Sequence, residues 1–223
     1  MREKGLIFNS EMVRAILDGR KTQTRRPIKW KQTRFTEIGE REDGSKWPWS
    51  EDAEHACDFW HPCPFGAVGD RIWVRETWSS DFANYYPNDR VWYAADNNRQ
   101  LDIDMVDGVR GIYSPESDVH VPFRWHPSIH MPRWASRILL EITDVRVERL
   151  NAISEEDATA EGVPPAGSLL PDYLGTFLTP KGDFATAKVA FQRLWESIYG
   201  EESWKANGWV WVISFKRVEG GAA

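Results

Sequence analysis

The stretch GRKTQTRR, residues 19–26, places one lysine, two threonines and three arginines within eight positions. A lysine that has lost its proton can act as a nucleophile or base, and a threonine hydroxyl can donate a hydrogen bond to a developing oxyanion. Arginines bind phosphates and base edges through paired N–H donors. The stretch therefore combines groups suited to acyl-transfer chemistry with groups suited to binding an anion.

Positive charge is concentrated around this stretch, although the chain carries a formal net charge of −6. No acidic residue lies between positions 20 and 34, and the acids cluster elsewhere, in EIGEREDG, SEDAE and SEEDATAEG. Such segregation is typical of a site for an anionic partner, whereas a solvated run of surface charge is the alternative. The seven cations of the segment are Arg20, Lys21, Arg25, Arg26, Lys29, Lys31 and Arg34.

A carboxylate, Glu161, ends the helix that SEEDATAEG predicts. Ser154 and Asp157 form a pair like a capping box at its start, and Gly162 supplies its stop. Because the helix dipole disfavours a negative charge in the last turn, we expect Glu161 to face a cation or to take part in chemistry. An exposed glutamate that tolerates the small cost is the alternative.

The elements that must position these residues follow from the hydrophobic periodicity. Strands are predicted at LIF, GDRIWVRETW, RVWYAAD, SRILLEITDVRVERL and GWVWVISFKRV, and helices at NSEMVRAILDG and ATAKVAFQRLWESIYG. In the last helix Val189, Leu194, Trp195 and Ile198 are predicted to share one buried face. Residues 31–66 and 97–134 are polar or rich in proline and are predicted to be irregular insertions. The economical prediction is one α+β domain over residues 1–223.

Taken together, LIF, GRKTQTRR, GDRIWVRETW, SEEDATAEG and WVWVISF resemble, in order and spacing, the ASCH domain family of bacteria and phages. That resemblance implies a PUA-like small β-barrel with flanking helices, here decorated by long loop insertions. It also implies RNA or a nucleoside as the partner, because the family is generally associated with RNA.

The chain is more sharply similar to the bacterial branch of this family that hydrolyses 4-N-acetylcytidine. In that branch a lysine and a threonine of a GRKTxTxR stretch act with a glutamate near the end of a later helix, and these correspond to Lys21, Thr24 and Glu161. The resemblance implies a metal-independent amide hydrolase that needs no cofactor. Arg20, Arg25 and Arg26 flank the lysine and are candidates for binding substrate, because a guanidinium is always charged and can contact phosphates or base edges through paired donors. The branch is more compact than this chain, so the insertions can alter the pocket. A non-catalytic RNA-binding module and a ribonuclease that uses the same basic groove are the alternatives.

Two mechanisms are open for these residues. In one, Glu161 acts as the general base on Lys21 or on water, which requires the pKa of Lys21 to fall well below about 10.4 if the amine is to be neutral. Thr24 then donates a hydrogen bond to the oxyanion or orients the base. In the other, Lys21 stays charged and holds an oxygen of the ligand. The residue types do not choose between them.

A second group of candidate binding residues lies on the WVRETW strand. Arg75 and Glu76 are adjacent and point to opposite sides, so at most one of them can line a given pocket. Trp78 can stack on a pyrimidine base, as aromatic residues of single-strand RNA readers do. A structural ion pair at Glu76 and core packing of Trp78 are the alternatives.

Other chemistries have weaker support. The segment HACDFWHPC contains four residues able to bind zinc, but their spacing does not match the separated pairs that zinc sites use, so we predict no metal. These residues are His55, Cys57, His61 and Cys63. Motifs of serine hydrolases, P-loop NTPases and dinucleotide-binding proteins are missing. The sequence has neither a signal peptide nor a membrane-length apolar run, and its two cysteines suit a reducing compartment, so we expect a cytoplasmic protein without a membrane partner.

Overall fold

The computed structural model describes residues 1–29, 36–52, 57–80, 91–96, 103–114 and 118–218. This part of the chain consists mainly of β strands with a few helices, which confirms the predicted α+β class. None of the described helices is long and apolar enough to cross a membrane.

The helices are α1 (Ser10–Leu17), α2 (Glu155–Ala160), α3 (Ala187–Tyr199) and α4 (Glu201–Lys205). The strands are β1 (Glu3–Ile7), β2 (Gln23–Pro27), β3 (Thr36–Glu40), β4 (Lys46–Asp52), β5 (Cys57–Trp60), β6 (Arg71–Arg75), β7 (Trp78–Ser79), β8 (Trp92–Tyr93), β9 (Asp104–Val106), β10 (Val109–Ser114), β11 (Val119–Pro122), β12 (Leu139–Arg149), β13 (Phe177–Leu178), β14 (Phe184–Ala185) and β15 (Trp209–Arg217). Five of them form one sheet in the order β1-β6-β12-β15-β2. The predicted strands and helices at both ends of the chain and around residue 145 are therefore confirmed.

The chain divides into two compact units. The first is drawn from Met1–Glu3, Ala15–Arg71 and Glu141–Arg217. The second is drawn from Lys4–Arg14, Ile72–Leu140 and Val218–Ala223.

In the first unit, β2 pairs antiparallel with β15, and α2 and α3 cover one face of β15. Val212 lies opposite Arg25 in the register and packs in a cluster of buried residues with Phe191 and Trp195 of α3. Successive side chains of a strand point to opposite faces, so Arg25 lies on the helix-covered face of β2 and Thr24 on the other.

The buried face of α3 differs from the predicted one. Val189 and Ile198 are exposed, whereas Ala187, Ala190, Phe191 and Trp195 are buried. Of the four residues predicted to be on the buried face, Trp195 alone is buried. Leu194 is only partly buried against the same cluster. The two alanines belong to the same buried cluster as Val210 and Val212 of β15, and the apolar pattern alone did not distinguish them from surface residues.

Part of the first predicted insertion is regular rather than irregular. Strands β3, β4 and β5 form an antiparallel sheet with Trp49 opposite Trp60. The prediction of an irregular segment was wrong here because Pro48, normally rare in a central strand, is accommodated between alternating tryptophans. Trp47 of this sheet packs edge-on against Trp211 of β15, with ring centroids 5.0 Å apart.

The second predicted insertion also contains a sheet, built from β9, β10 and β11. Asp107 and Gly108 connect β9 to β10 with positive φ angles of 51° and 78°. This is the backbone that a two-residue hairpin turn requires, and Asp-Gly is a preferred sequence for it. The expectation of irregular chain was therefore wrong for this segment too.

Candidate functional site

The backbone brings Lys21 and Glu161 together directly. Lys21 follows α1 and forms an isolated antiparallel bridge with Glu161, the residue that closes α2. The amide of Lys21 donates to the carbonyl of Ala15, and the amide of Thr22 donates to that of Ala160, both at 2.9 Å. The first bond folds the chain back onto the end of α1, and the second joins it to the end of α2, independently of the side chains.

Gly162 makes this approach possible. Its φ is +84°, and a Cβ placed there would lie 2.7 Å from the Cβ of Lys21 and 2.8 Å from the Cβ of Ala15. Both the backbone conformation and the space require glycine. The residue predicted to stop the helix therefore also sets how closely Lys21 can approach it.

The side chains of Lys21 and Glu161 form a buried ion pair. Lys21 Nζ donates to Glu161 Oε2 and to the Glu161 backbone oxygen, each at 2.8 Å. The exposed fraction is 0% for the lysine side chain and 3% for that of the glutamate. The expectation that Glu161 faces a cation is confirmed.

Burial is the largest influence on the pKa of Lys21 and lowers it, because the charged ammonium loses its hydration. The negative charge and hydrogen bond of Glu161 oppose this effect, while the positive charges of Arg26 and Arg25 add to it. The net result is a pKa of Lys21 below its ordinary value. The site thus favours the neutral amine more than a solvent-exposed lysine would.

Arg25 links this pair to two further carboxylates. Its Nη1 donates to Glu161 Oε1 at 3.3 Å, and its Nη2 donates to Asp157 Oδ2 at 2.8 Å and to Glu148 Oε2 at 3.0 Å. The Arg25 side chain has no exposed surface. One guanidinium therefore joins Asp157 of α2, Glu161 directly after α2, and Glu148 of β12.

Arg146 completes the charge balance around Asp157 and Glu148. It donates to Glu148 Oε1 at 2.6 Å and to Asp157 Oδ2 at 3.0 Å. Burial opposes ionisation of Asp157, but the hydrogen bonds and charges of Arg25 and Arg146 outweigh it and lower the pKa of Asp157. Sequence reasoning did not single out Arg146 and Glu148; their signal was the row of charged residues at alternate positions of β12.

Thr24 is buried but lies apart from these contacts. It is 1% exposed and stands opposite Ile213, on the face of β2 that is turned away from Arg25. Among the hydrogen bonds of the described residues, none joins its hydroxyl to Lys21 or Glu161. A catalytic role for Thr24 stays a prediction.

The flanking arginines are arranged differently from Arg25. Arg20 donates to the backbone oxygen of Gly162 and to Asp18 Oδ2, both at 3.0 Å. Arg26 is partly buried and stands opposite Trp211 in the register of β2 and β15. Arg25 and Arg26, both predicted to bind substrate, therefore lie on opposite faces of β2. Lys31 and Arg34 lie outside the described residues.

Comparison of the chain with protein-family models, with curated proteins and with solved structures found no match.

The candidate residues of the WVRETW strand belong to the second unit. Glu76 is 1% exposed and accepts two hydrogen bonds from Arg137, each 3.0 Å long. Burial raises the pKa of Glu76, although the bonds and charge of Arg137 oppose the shift. This is the geometry of the structural ion pair that the sequence left open as an alternative.

Arg75 and Trp78 are also engaged within the second unit. Arg75 donates to the backbone oxygen of Ile129, and its guanidinium lies 5.3 Å from the ring centroid of Trp73. Trp78 is 8% exposed and packs edge-on against Trp134, a ring that is itself 66% exposed. A role of Trp78 in stacking on a base stays a prediction that requires its ring to be uncovered.

The four possible zinc ligands are only partly described. His55 lies outside the described residues, Cys57 is exposed and Cys63 is buried. His61 Nε2 is 2.9 Å from the hydroxyl of Ser50. Among the described residues no three His, Cys, Asp or Glu side chains are grouped so that they could hold a metal ion.

A cavity of about 470 Å³ lies beside α2 and is lined by Glu155, Glu156, Thr159 and Phe177, among others. Lys21, Thr24 and Glu161 are not among its lining residues. The ion pair of the site is instead enclosed by protein, so a ligand can reach Lys21 Nζ only if the surrounding residues move.

Chemically, the site holds an amine of lowered pKa against a carboxylate that an arginine also grips. Such a pair can exchange a proton between its members, donate a proton to a leaving group, or hold an oxygen of a ligand. Each of these actions needs only these side chains.

Proposed function

We propose that this protein hydrolyses the N-acyl group of a modified cytosine base, with 4-N-acetylcytidine as the model substrate. The observation that carries the proposal is the buried pair formed by Lys21 and Glu161, whose partners lie 140 residues apart in the chain. Two of the three residues that the resemblance to the 4-N-acetylcytidine branch assigns to catalysis are thus in direct contact.

The reaction can be written with these two residues. Glu161 removes a proton from a water molecule, which attacks the acetyl carbonyl carbon, and the C–N bond to the cytosine amine then breaks. The leaving nitrogen takes up a proton from Lys21 or from Glu161, and the products are acetate and cytidine. Lys21 in its charged form also stabilises the oxyanion of the tetrahedral intermediate. The lowered pKa of Lys21 suits a residue that must give up its proton.

The experiment is incubation of the purified protein with 4-N-acetylcytidine, followed by chromatography of the released cytidine. We expect release by the wild type and none by Lys21→Ala. The matched control is Lys205→Ala, because Lys205 forms a pair with Glu202 of the same 2.8 Å length at the exposed surface of α4. Circular dichroism of each variant shows whether it is folded.

Two isosteric variants guard against loss of activity by unfolding. Glu161→Gln keeps the shape of the side chain and removes the base, and Thr24→Val keeps the volume and removes the hydroxyl. Activity that survives Glu161→Gln contradicts the proposed mechanism. Activity that survives Thr24→Val restricts catalysis to Lys21 and Glu161, in agreement with the position of Thr24 on the opposite face of β2.

A non-catalytic RNA-binding module is the second candidate, and the complete enclosure of the Lys21 side chain favours it. In that function the buried pair shapes the fold, and other cations of the basic stretch contact phosphates. Binding of a single-stranded RNA without turnover, with affinity that falls as salt rises, supports it. Shortening of the RNA in the same assay instead supports a ribonuclease.

We further propose that the five-stranded sheet is part of a PUA-like barrel and that the protein acts on nucleosides or RNA in the cytoplasm. The barrel is supported by the strand order β1-β6-β12-β15-β2, in which strands from both ends of the sequence share a sheet. The partner and the location rest on the sequence and on its resemblance to the ASCH family. In the described residues β1 and β2 are the two edge strands of this sheet. A crystal structure in which no further strand joins these edges to close the sheet contradicts the barrel.

A further inference from the structure

The Glu161 carboxylate is shared between two cations, one at each oxygen. Oε2 accepts from Lys21 Nζ at 2.8 Å, and Oε1 accepts from Arg25 Nη1 at 3.3 Å. A carboxylate that is held at both oxygens cannot rotate without breaking one of these contacts. The orientation that presents Oε2 to Lys21 therefore depends on Arg25.

The guanidinium of Arg25 is itself held by contacts other than the one with Glu161. Its Nη2 donates to Asp157 of α2 and to Glu148 of β12, at 2.8 and 3.0 Å, and its guanidinium lies 5.9 Å from the ring centroid of Phe191. These partners come from three different elements. A planar guanidinium is suited to such a position, because its donors diverge in a fixed geometry that a lysine ammonium does not reproduce.

We propose that Arg25 is a positioning residue for the Lys21–Glu161 pair, holding Oε1 of Glu161 so that Oε2 stays on the lysine. The proposal deepens the proposed function and rests on it for its catalytic meaning, whereas the physical coupling of Arg25 to Lys21 can be measured without any substrate. It also assigns Arg25 a role different from the substrate binding that its place in the basic stretch implies.

Arg146 provides the matched control, because it contacts the same two carboxylates, Asp157 and Glu148, but none of its described hydrogen bonds reaches Glu161. Arg25→Met removes the contact with Glu161 together with those to Asp157 and Glu148. Arg146→Met removes only contacts to the shared carboxylates and to their neighbours. A purely structural role of the ion network predicts similar effects of the two variants.

The measurement that needs no substrate is NMR titration of lysine labelled at Cε, with the Lys21 signal assigned by its absence in Lys21→Arg. We expect Arg25→Met to lower the pKa of Lys21, because Glu161 released by Arg25 no longer holds its charge and hydrogen bond on the lysine, and each of these raises that pKa more than the charge of Arg25 lowers it. Arg25→Lys, which keeps a positive charge but not the fixed geometry of the guanidinium, is expected to lower the pKa of Lys21 as well, and Arg146→Met to leave the titration where it is in the wild type.

The second measurement is the pH profile of kcat/KM with 4-N-acetylcytidine. Arg25→Lys is expected to lower kcat by up to about 10²-fold, the cost of a misplaced catalytic group, with KM changed much less. The basic limb of its profile should move with the NMR pKa of Lys21. Arg146→Met is expected to keep the position of this limb.

The two proposals fail in different ways. If the wild type releases no cytidine, the amidohydrolase function is wrong, and the NMR titration still decides whether Arg25 controls Lys21. If folded Arg25→Met and Arg25→Lys both leave the pKa of Lys21 unchanged, or if Arg25→Met raises it as the loss of a nearby cation alone would, the positioning role is wrong whatever the activity. An equal shift in Arg146→Met also overturns it, since the effect would then belong to the whole network.

Discussion

Lys21 Nζ donates both to the side chain and to the backbone oxygen of Glu161, at the same distance of 2.8 Å. The lysine thereby satisfies the carbonyl of the residue that ends α2 as well as its carboxylate. Since one residue both closes the helix and pairs with the lysine, a change at Glu161 is expected to affect stability and chemistry together. Changes that separate the two effects are the informative ones.

Glu161→Leu is expected to lower the free energy of unfolding by about 3–5 kcal/mol, because it leaves the cations Lys21 and Arg25 buried without this carboxylate. Urea denaturation measures the loss. Glu202→Leu breaks a pair of equal length, the one between Lys205 and Glu202, at the exposed surface, and we expect no measurable change there. An equal loss of unfolding free energy in the two variants would contradict the argument that burial makes the loss of Glu161 costly.

The pH dependence of stability reports on Lys21. Its pKa is lower in the folded protein than the ordinary 10.5, so between these two values the unfolded chain binds more protons than the folded one. Stability therefore rises with pH across this window, by about 1.4 kcal/mol for each pH unit that the window spans. The test compares urea denaturation of the wild type and Lys21→Met from pH 7 upwards. The excess slope should vanish in the variant, and a parallel pair of curves would refute the lowered pKa.

Much of the fold follows from periodicity. The long strand β12, the closing strand β15 and the helices α1 and α3 are strongly patterned, and the structure places all of them close to the predicted bounds. The sheets of β3–β5 and β9–β11 were not predicted, because their prolines and charged residues were interpreted as signs of irregular chain and the turn sequences between their strands were not used. Asp43-Gly44 and Asp107-Gly108, each ending in a glycine of positive φ, were the available signals.

The site was predictable only in part, and for a physical reason. Helix electrostatics indicated that Glu161 should face a cation, but only the resemblance to a known branch connected it with Lys21. The connection of Arg25 to Glu148 spans 123 residues and arises from the pairing of strands, which local patterns do not encode. The sequence also did not indicate which residues of β2 are buried, because a short charged strand has no alternation of apolar and polar residues.

Gly162→Ala is expected to destabilise the protein and disturb Lys21 at the same time. The methyl group would overlap the Cβ atoms of Lys21 and Ala15, and the residue would be strained at φ +84°. Gly182→Ala is the matched control, since Gly182 has φ +83° with nothing within 4 Å of the new methyl group. Both variants incur the backbone strain of about 1–2 kcal/mol, and only Gly162→Ala adds overpacking of about 1–3 kcal/mol.

The measurement is urea denaturation of the two variants together with the hydrolysis assay. We expect activity to be lost in Gly162→Ala and retained in Gly182→Ala. Equal losses of stability would mean that the close approach of Gly162 to Lys21 is relieved by small movements, and the site would then be less rigid than the contacts indicate.

The ion pair between Glu76 and Arg137 is expected to contribute to the stability of the second unit rather than to substrate binding. Glu76 is buried, and its two oxygens are both occupied by Arg137, which also pairs with Asp96. Arg137→Leu alone should cost about 3–5 kcal/mol, because the buried carboxylate is left without its counter-charge. The double variant Glu76→Leu/Arg137→Leu should cost less than Arg137→Leu, since no buried charge remains at Glu76.

The pH dependence of Arg137→Leu then provides the decisive comparison. Burial already raises the pKa of Glu76, and without the cation it should rise further, so that folded Arg137→Leu holds a proton that the unfolded chain releases above about pH 4.3. The stability of Arg137→Leu should therefore fall as the pH rises from 4 to 7, and the double variant should lack this slope. If Arg137→Leu instead retains its stability across this range but loses affinity for RNA or nucleoside, Glu76 and Arg137 belong to a binding surface, as the sequence first suggested for Glu76.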